Sequence, residues 1–321
     1  MNKLKKIKYT EQSSIIAFLV IFIISIIIKG TTFLSFRNLS NVMLNNSMIG
    51  IIALGMTLII ITGGIDLSVG SQLAMSGLIG ISVLNATNSI LMALLSSLIV
   101  GVMSGLLAGF LVAHFKVPAF IVTLGTTSVY RSLSQYFYHG GGILAKGDKL
   151  DTFVAISNSK LFGIIPTPVI YWILLSIIIA FIMKKTTFGR YIYGVGSNEQ
   201  ASKLAGVDTK KTIIFTYIVS GLLVSLAAII EASRLGSMNS ASSGLSYDMD
   251  AIAAVVIGGT RMSGGYGRIL GTVFGTLTLG IINNLLNLLG VNPFLVGAIK
   301  GTIIIAAVLL QRYLEKKEAQ K

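Results

Sequence analysis

Cysteine, histidine and the acidic residues are where chemistry would sit, and the chain has few of them. Of 321 residues none is cysteine, two are histidine and 11 are Asp or Glu. The lack of cysteine excludes disulfides, thiolate metal sites and a cysteine nucleophile. His114 and His139 lie far apart in the sequence, which argues against a histidine-rich metal centre. No G-x-x-x-x-G-K-[ST] phosphate loop is present, and "VGAIKGT" at 296–302 holds similar residue types in the wrong order. If ATP drives this protein, another chain must bind it. What remains is non-covalent chemistry. Asp66, in "GGIDLSVG", follows two glycines and precedes a new apolar run. Its carboxylate either caps the N-terminus of that run or gates a broken helix. Asn283 and Asn287 share a helical face at i and i+4, with Asn284 beside them. Their amides offer both donors and acceptors, suited to a passing polar solute or to interhelical glue. Lys300, in the last apolar run, is either paired internally or snorkels to an interface.

The elements that must position these residues are membrane helices. Hydrophobic residues make up 54% of the chain and charged residues 11%, and the mean hydropathy is +0.85. A soluble domain carries about 25% charged residues, so lipid must be the solvent here. Ten spans can be drawn, at about 13–29, 47–62, 67–85, 90–113, 118–138, 166–183, 212–231, 249–262, 269–289 and 293–312. Glycines near 62–70 and 258–268 predict discontinuous helices, tolerated at membrane depth only where buried in protein or lining a cavity. The fold class is therefore all-α: a polytopic bundle of about ten transmembrane helices, some discontinuous. The N-terminal run, with no small-residue cleavage site after it, reads as a retained first span.

The net charge of +14 comes from basic residues beside the spans, not from a nucleic-acid patch. With the N-terminus inside, most of the 25 Lys and Arg fall in inner segments, among them Lys116, Lys184, Lys185, Arg190, Lys203, Lys210, Arg261 and Arg268. That bias places both termini in the cytoplasm and makes the number of spans even. The chain then divides into a tail at 1–12, one transmembrane domain at 13–312 with an inner loop at 184–211, and a tail at 313–321. The longest outer loops, 139–153 and 233–250, are a natural docking surface or simply solvated connections. Gly101, Gly105 and Gly109, and later Gly271/Gly275 and Gly297/Gly301, form small-residue faces for close packing within the chain or between subunits. Gly258, Gly259, Gly264 and Gly265 bracket a turn or a hinge.

The inner loop holds "GSNEQASKLAGVDTKK" at 196–211, polar between two greasy runs. Ser197 and Gln200 have the spacing of a capping box, and Gly206 suits a left-handed helix end. About two helical turns lie between them, with Ala201, Leu204 and Ala205 on one face. Asn198, Glu199, Ser202 and Lys203 form the more exposed side. A helix this short needs something to pack on: a groove in another protein or the lipid headgroups.

The stretch "TFGRYIYGVGSNEQASKLAGVD" resembles the coupling loop of ribose-type monosaccharide ABC importer permeases. Glu199, Ala201 and Gly206 occupy that motif's acidic, small and glycine places, while Gln200 stands where alanine or glutamate is usual. The same family is echoed in order by "GGIDLSVGS" at 63–71, "VPAFIVTLGT" at 117–126, "MDAIAAVVIGGT" at 249–260 and "NNLLNLLGV" at 283–291. The match runs from about residue 40 to 310. "TRMSGGYGR" departs from the family's usual "TSLSGGRG", which implies a different partner contact by that inner loop. The resemblance implies a permease in a bacterial inner membrane and no catalysis or cofactor in this chain. It further implies a separate ATP-binding ABC subunit inside, an extracytoplasmic sugar-binding protein outside and a second permease copy. Two other readings remain from the residues themselves. An ion-coupled secondary transporter needs midplane carboxylates, and Asp66, Glu231, Asp248 and Asp250 all fall near predicted span ends. A membrane enzyme would need an acid–base or metal cluster that two isolated histidines do not supply.

Overall fold

The structure, a computed structural model, describes the backbone of residues 2–319 and side chains from 14 to 309 except 293, 304 and 307. The tail lysines that enter the charge-bias argument lie outside the described side chains. Each expected span coincides with a helix: α1 (Asn2–Leu34), α2 (Phe36–Ile61), α3 (Val69–Thr87), α4 (Ile90–Phe115) and α5 (Ala119–Phe137) come first. After the outer loop come α6 (Leu150–Asn158), α7 (Thr167–Lys185), α8 (Thr187–Ser197), α9 (Glu199–Leu204) and α10 (Thr209–Leu235). The chain closes with α11 (Tyr247–Ile257), α12 (Ile269–Leu288) and α13 (Pro293–Ala319). Among the described residues, 7 helical segments are long and apolar enough to cross a membrane. α5, with its hydroxyls and Arg131, the short α11 and α13 are not among them.

Two boundaries differ from expectation. α2 begins at Phe36, not near 47, because asparagines hide its first three turns from a hydropathy reading. In the fold those amides find partners: Asn38 and Asn284 exchange hydrogen bonds at 3.0 and 2.7 Å. Asn46 donates to the Val42 carbonyl at 2.6 Å. The second difference is α8, which occupies sequence expected to be loop. Thr186 starts it by accepting from the Gly189 N–H at 3.2 Å, and Ile192 and Val195 supply a buried face.

α2 is the axis of the core, buried along most of its length and touching α7, α10, α11 and α12. Over its described side chains, Ser14–Leu34, α1 is largely exposed or half-buried and packs one face against α12. The glycine stripe of α4 is consumed inside the chain: Gly101, Gly105 and Gly109 lie against Gly221, Tyr217 and Ile214 of α10. Gly271 and Gly275 likewise seat α12 on α11. Gly297 and Gly301 meet nothing within 4 Å.

The expected break at 62–70 is present. After Gly63 (φ +87) the chain leaves the helix and passes alongside α5. Thr123 donates to the Ile65 carbonyl at 3.1 Å and Thr127 to the Leu67 carbonyl at 2.7 Å, so side-chain hydroxyls replace the missing helical bonds. The expected break at 258–268 is also non-helical, an eleven-residue connection between α11 and α12. A further break lies upstream, at 236–246, where Gly244 (φ +68) backs directly onto Gly70 in the first turn of α3. The N-termini of α3 and α11 thereby meet inside the bundle. On the far side, the long loops at 139–153 and 233–250 join through an antiparallel ribbon of β1 (Gly142–Leu144) and β4 (Ser237–Asn239). A second small hairpin, β2 (Lys160–Leu161) and β3 (Ile165–Pro166), leads into α7.

Candidate functional site: a capped exposed helix and an asparagine-lined cavity

α8 and α9 sit on one end of the bundle, against the last turn of α2 and the turn before α12. Tyr193 donates to the Gly267 carbonyl at 2.7 Å. The Gly265 N–H donates to the Ile61 carbonyl at 2.8 Å, and Gly196 packs directly on that same carbonyl. α9 then starts differently from the expected capping box. Ser197 is the last residue of α8, and Asn198 is the cap, its Oδ1 accepting from the Ala201 N–H at 2.9 Å. Asn198 prevails because its extended backbone (φ −162, ψ 104) is what separates the two helices. Gly206, at φ +83, closes α9 in the left-handed conformation the sequence predicts.

Only part of the predicted helix face survives. Ser202, expected outside, is buried, and the Val207 N–H donates to its carbonyl at 3.0 Å. Ala201, Leu204 and Ala205 are exposed, and Leu204 is 90% exposed. Glu199 is tied back by an ion pair with Lys116, the left-handed residue (φ +57) ending α4. Thr209 also donates to Glu199, at 3.2 Å. Together with Gln200, Lys203 and Asp208 these residues border an open groove of about 470 Å³.

Lys116 holds the Glu199 carboxyl below its ordinary pKa, against a smaller opposing effect of burial. A depressed folded-state pKa gives stabilisation that is complete above the unfolded value, about 4.3, and lost as pH falls through the folded one. Amide exchange across Glu199–Leu204, corrected for intrinsic pH dependence, is therefore expected to be constant from pH 8 to pH 5. It should accelerate only in acid below about pH 4. Loosening near neutral pH would show that the pair does not hold α9.

The second feature is a cavity of about 310 Å³ between α2, α12 and α13. Asn45, Asn46, Asn283, Asn284 and Asn287 line it with Lys300. The structure thus brings Asn283 and Asn287 together as the i, i+4 spacing predicts. Asn283 Oδ1 is buried with no hydrogen-bond partner among the described residues, and so has acceptor capacity to spare. Lys300 is paired internally, with Nζ at 2.9 and 3.0 Å from the two oxygens of Asp250. Asn45, which accepts from Arg234 at 2.6 Å, and Asn46 were missed from sequence. The recurrence of asparagine at 38, 41 and 45, a helical spacing, was the available signal.

Asp66 does not line this cavity. Its buried carboxylate accepts from the Ser68 N–H at 2.8 Å and hydroxyl at 2.6 Å. It thus closes the turn that feeds α3 and does not cap the first N–H groups of the helix itself. Among the described residues no group of three or more His, Asp or Glu side chains is placed to hold a metal. His114 stacks on Phe110 with ring centres 5.1 Å apart.

The chain is 41% identical over 312 residues to the ribose import permease protein RbsC of Haemophilus influenzae, covering 96% of this chain and 95% of the relative. It is 40% identical over 297 residues to RbsC of Bacillus subtilis, covering 92% and 91%. It is 32% identical over 339 residues to the galactose/methyl galactoside import permease protein MglC of Escherichia coli, covering 99% of each. No solved structure matches. The family model described as branched-chain amino acid transport system / permease component matches residues 38–308. By that match and by these relatives, the chain belongs to this permease family.

Proposed function

We propose that the chain is the membrane-spanning subunit of an ABC importer carrying ribose or a similar monosaccharide across a bacterial inner membrane. In this reading ten helices cross or enter the bilayer, with both termini cytoplasmic. A separate ATP-binding subunit drives the chain, and an extracytoplasmic binding protein delivers the sugar. The chain itself supplies a path and a mechanical linkage without covalent chemistry. The observation that carries the reading is Leu204: a large apolar side chain, 90% exposed, on a helix pinned by a cap, an ion pair and a glycine stop. Water does not favour that arrangement, whereas an apolar pocket of a partner does. Ser197, Asn198, Glu199, Gln200, Ala201, Leu204 and Gly206 form the coupling element. Asn283 and Asn287 line the path, and Asp66 maintains the break beside it. Closure of the ATP-binding dimer moves α9, and its differential contact with two bundle packings shifts their populations. The unpartnered faces of Gly297 and Gly301 support a second permease copy.

Leu204→Asp tests this directly. Because the side chain touches little within the chain, folding is expected to be unchanged, with the thermal midpoint close to wild type. Co-purification of the ATP-binding subunit is expected to fall at least tenfold, since a buried apolar contact becomes an unpaired carboxylate. Retention of that subunit at wild-type level would refute the coupling role. Absence of any ATP-binding chain from the wild-type complex, with uptake following an ion gradient, would favour a secondary transporter.

A further inference from the structure

The hairpin of β2 and β3 has no place in the coupling or path described above, and its tip is unusual in two ways. The residues between Lys160 and Pro166 are Leu161, Phe162, Gly163, Ile164 and Ile165, with no polar side chain among them. Leu161, Ile164 and Ile165 are exposed, and Phe162 is 85% exposed. Phe162 also adopts a left-handed conformation, φ +52, followed by Gly163 at φ +72. Two left-handed residues in succession call for glycine or asparagine, and a bulky aromatic there is a genuine outlier. A residue both strained and displayed to the outside gains nothing from folding alone, so its reward must come from outside the chain.

The location says what meets it. The hairpin cannot swing away, because its base is clamped. The Thr167 N–H donates to the Ser159 carbonyl at 3.1 Å, Thr167 Oγ1 donates to the Ile156 carbonyl at 2.7 Å, and Pro166 is buried. The hairpin runs straight into α7, whose 19 residues span about 28 Å, close to the ~30 Å of a bilayer's hydrocarbon core. Lys184 and Lys185 terminate α7 at the end that carries α8 and α9. The start of α7 therefore lies at the opposite headgroup boundary, and so does the hairpin. With paired strands of only two residues each it can reach no deeper than that layer. Tyr136 and Phe137, at the end of α5, are also exposed aromatics at this end of the bundle. Aromatic side chains in that layer, with a lysine such as Lys160 beside them, are what a phospholipid interface selects.

We propose that the Leu161–Ile165 hairpin is an interfacial anchor: it inserts Phe162 into the headgroup region of the leaflet opposite α9 and so fixes the depth of α7. The partner is the phospholipid surface itself. A soluble protein docking on the same tip is the competing occupant.

The chain contains no cysteine, so Phe162→Cys gives one nitroxide site per permease chain, labelled before its partners are added. Asp151→Cys, on exposed α6, serves as the aqueous reference. The full complex would be reconstituted in vesicles of phosphatidylethanolamine and phosphatidylglycerol. Collision rates with oxygen, enriched in lipid, and with a neutral nickel chelate, enriched in water, would then be compared. The ratio of oxygen to nickel accessibility is expected to be at least threefold higher at 162 than at 151, with or without the binding protein. Equal ratios at the two sites would overturn the proposal. So would a label open to nickel until the binding protein is added, which would assign the tip to that protein. A second variant guards against a packing role. Phe162→Gly relieves the left-handed conformation and is expected to keep or raise the thermal midpoint in detergent; a fall of several degrees would mean that the phenyl ring is structural and overturn the anchor.

Discussion

Gly196→Ala is expected to reduce substrate-stimulated ATP hydrolysis and sugar uptake at least tenfold while the membrane bundle still assembles. A methyl group on Gly196 would occupy the space of the Ile61 carbonyl oxygen. That oxygen cannot retreat, because it ends α2 and already accepts from the Gly265 N–H at 2.8 Å. Overpacking usually costs about 1–3 kcal/mol, and more where the obstruction is backbone instead of a flexible side chain. The least resistant response is for α8 to lift off the bundle end, carrying α9 and its exposed Leu204 with it. The transmembrane core is then intact and the linkage is displaced. Uptake and ATPase activity in proteoliposomes, together with amide exchange over 199–204, would register the change. Uptake within twofold of wild type would show that the seat of α8 is not part of the transmission.

Asn283→Leu is expected to lower uptake about tenfold with the thermal midpoint unchanged or slightly raised, and Asn284→Leu to do the reverse. The two residues are adjacent in sequence but differ in what they satisfy. Asn283 Oδ1 has no partner among the described residues, so replacing the amide removes a polar atom whose burial is uncompensated. A solute that hydrogen-bonds there would lose about 1–2 kcal/mol of interaction, or roughly tenfold in transport. Asn284 is half of the reciprocal pair with Asn38. Removing it strands a partly buried amide and is expected to cost about 1–3 kcal/mol of stability, with uptake per folded molecule near normal. Uptake assays and thermal unfolding in detergent would be run on both variants. Asn283→Leu behaving like Asn284→Leu would show that Asn283 is interhelical glue and not part of a path.

The helical class and the seven helices long and apolar enough to cross a bilayer could be read from composition and apolar runs, because in a bilayer each backbone group must be satisfied within its own helix. The break at 62–70 and the left-handed Gly206 were equally legible, since glycine spacing and helix stops are local. The same is true of the shared face of Asn283 and Asn287, which one helix determines by itself. Tertiary structure decided the rest. The glycine stripe of α4 could serve neighbouring helices or neighbouring subunits, and only the approach of α10 settled it. Lys300 could pair or snorkel until Asp250, distant in sequence, stood beside it. The start of α2 was hidden because a hydropathy reading scores asparagine as exposed, whereas Asn38 is satisfied by Asn284, which folding brings beside it, and Asn46 by the Val42 carbonyl one turn back. Ser202 and Leu204 exchanged their expected environments for the same reason: periodicity predicts that a face exists, but which face is covered depends on what packs against it.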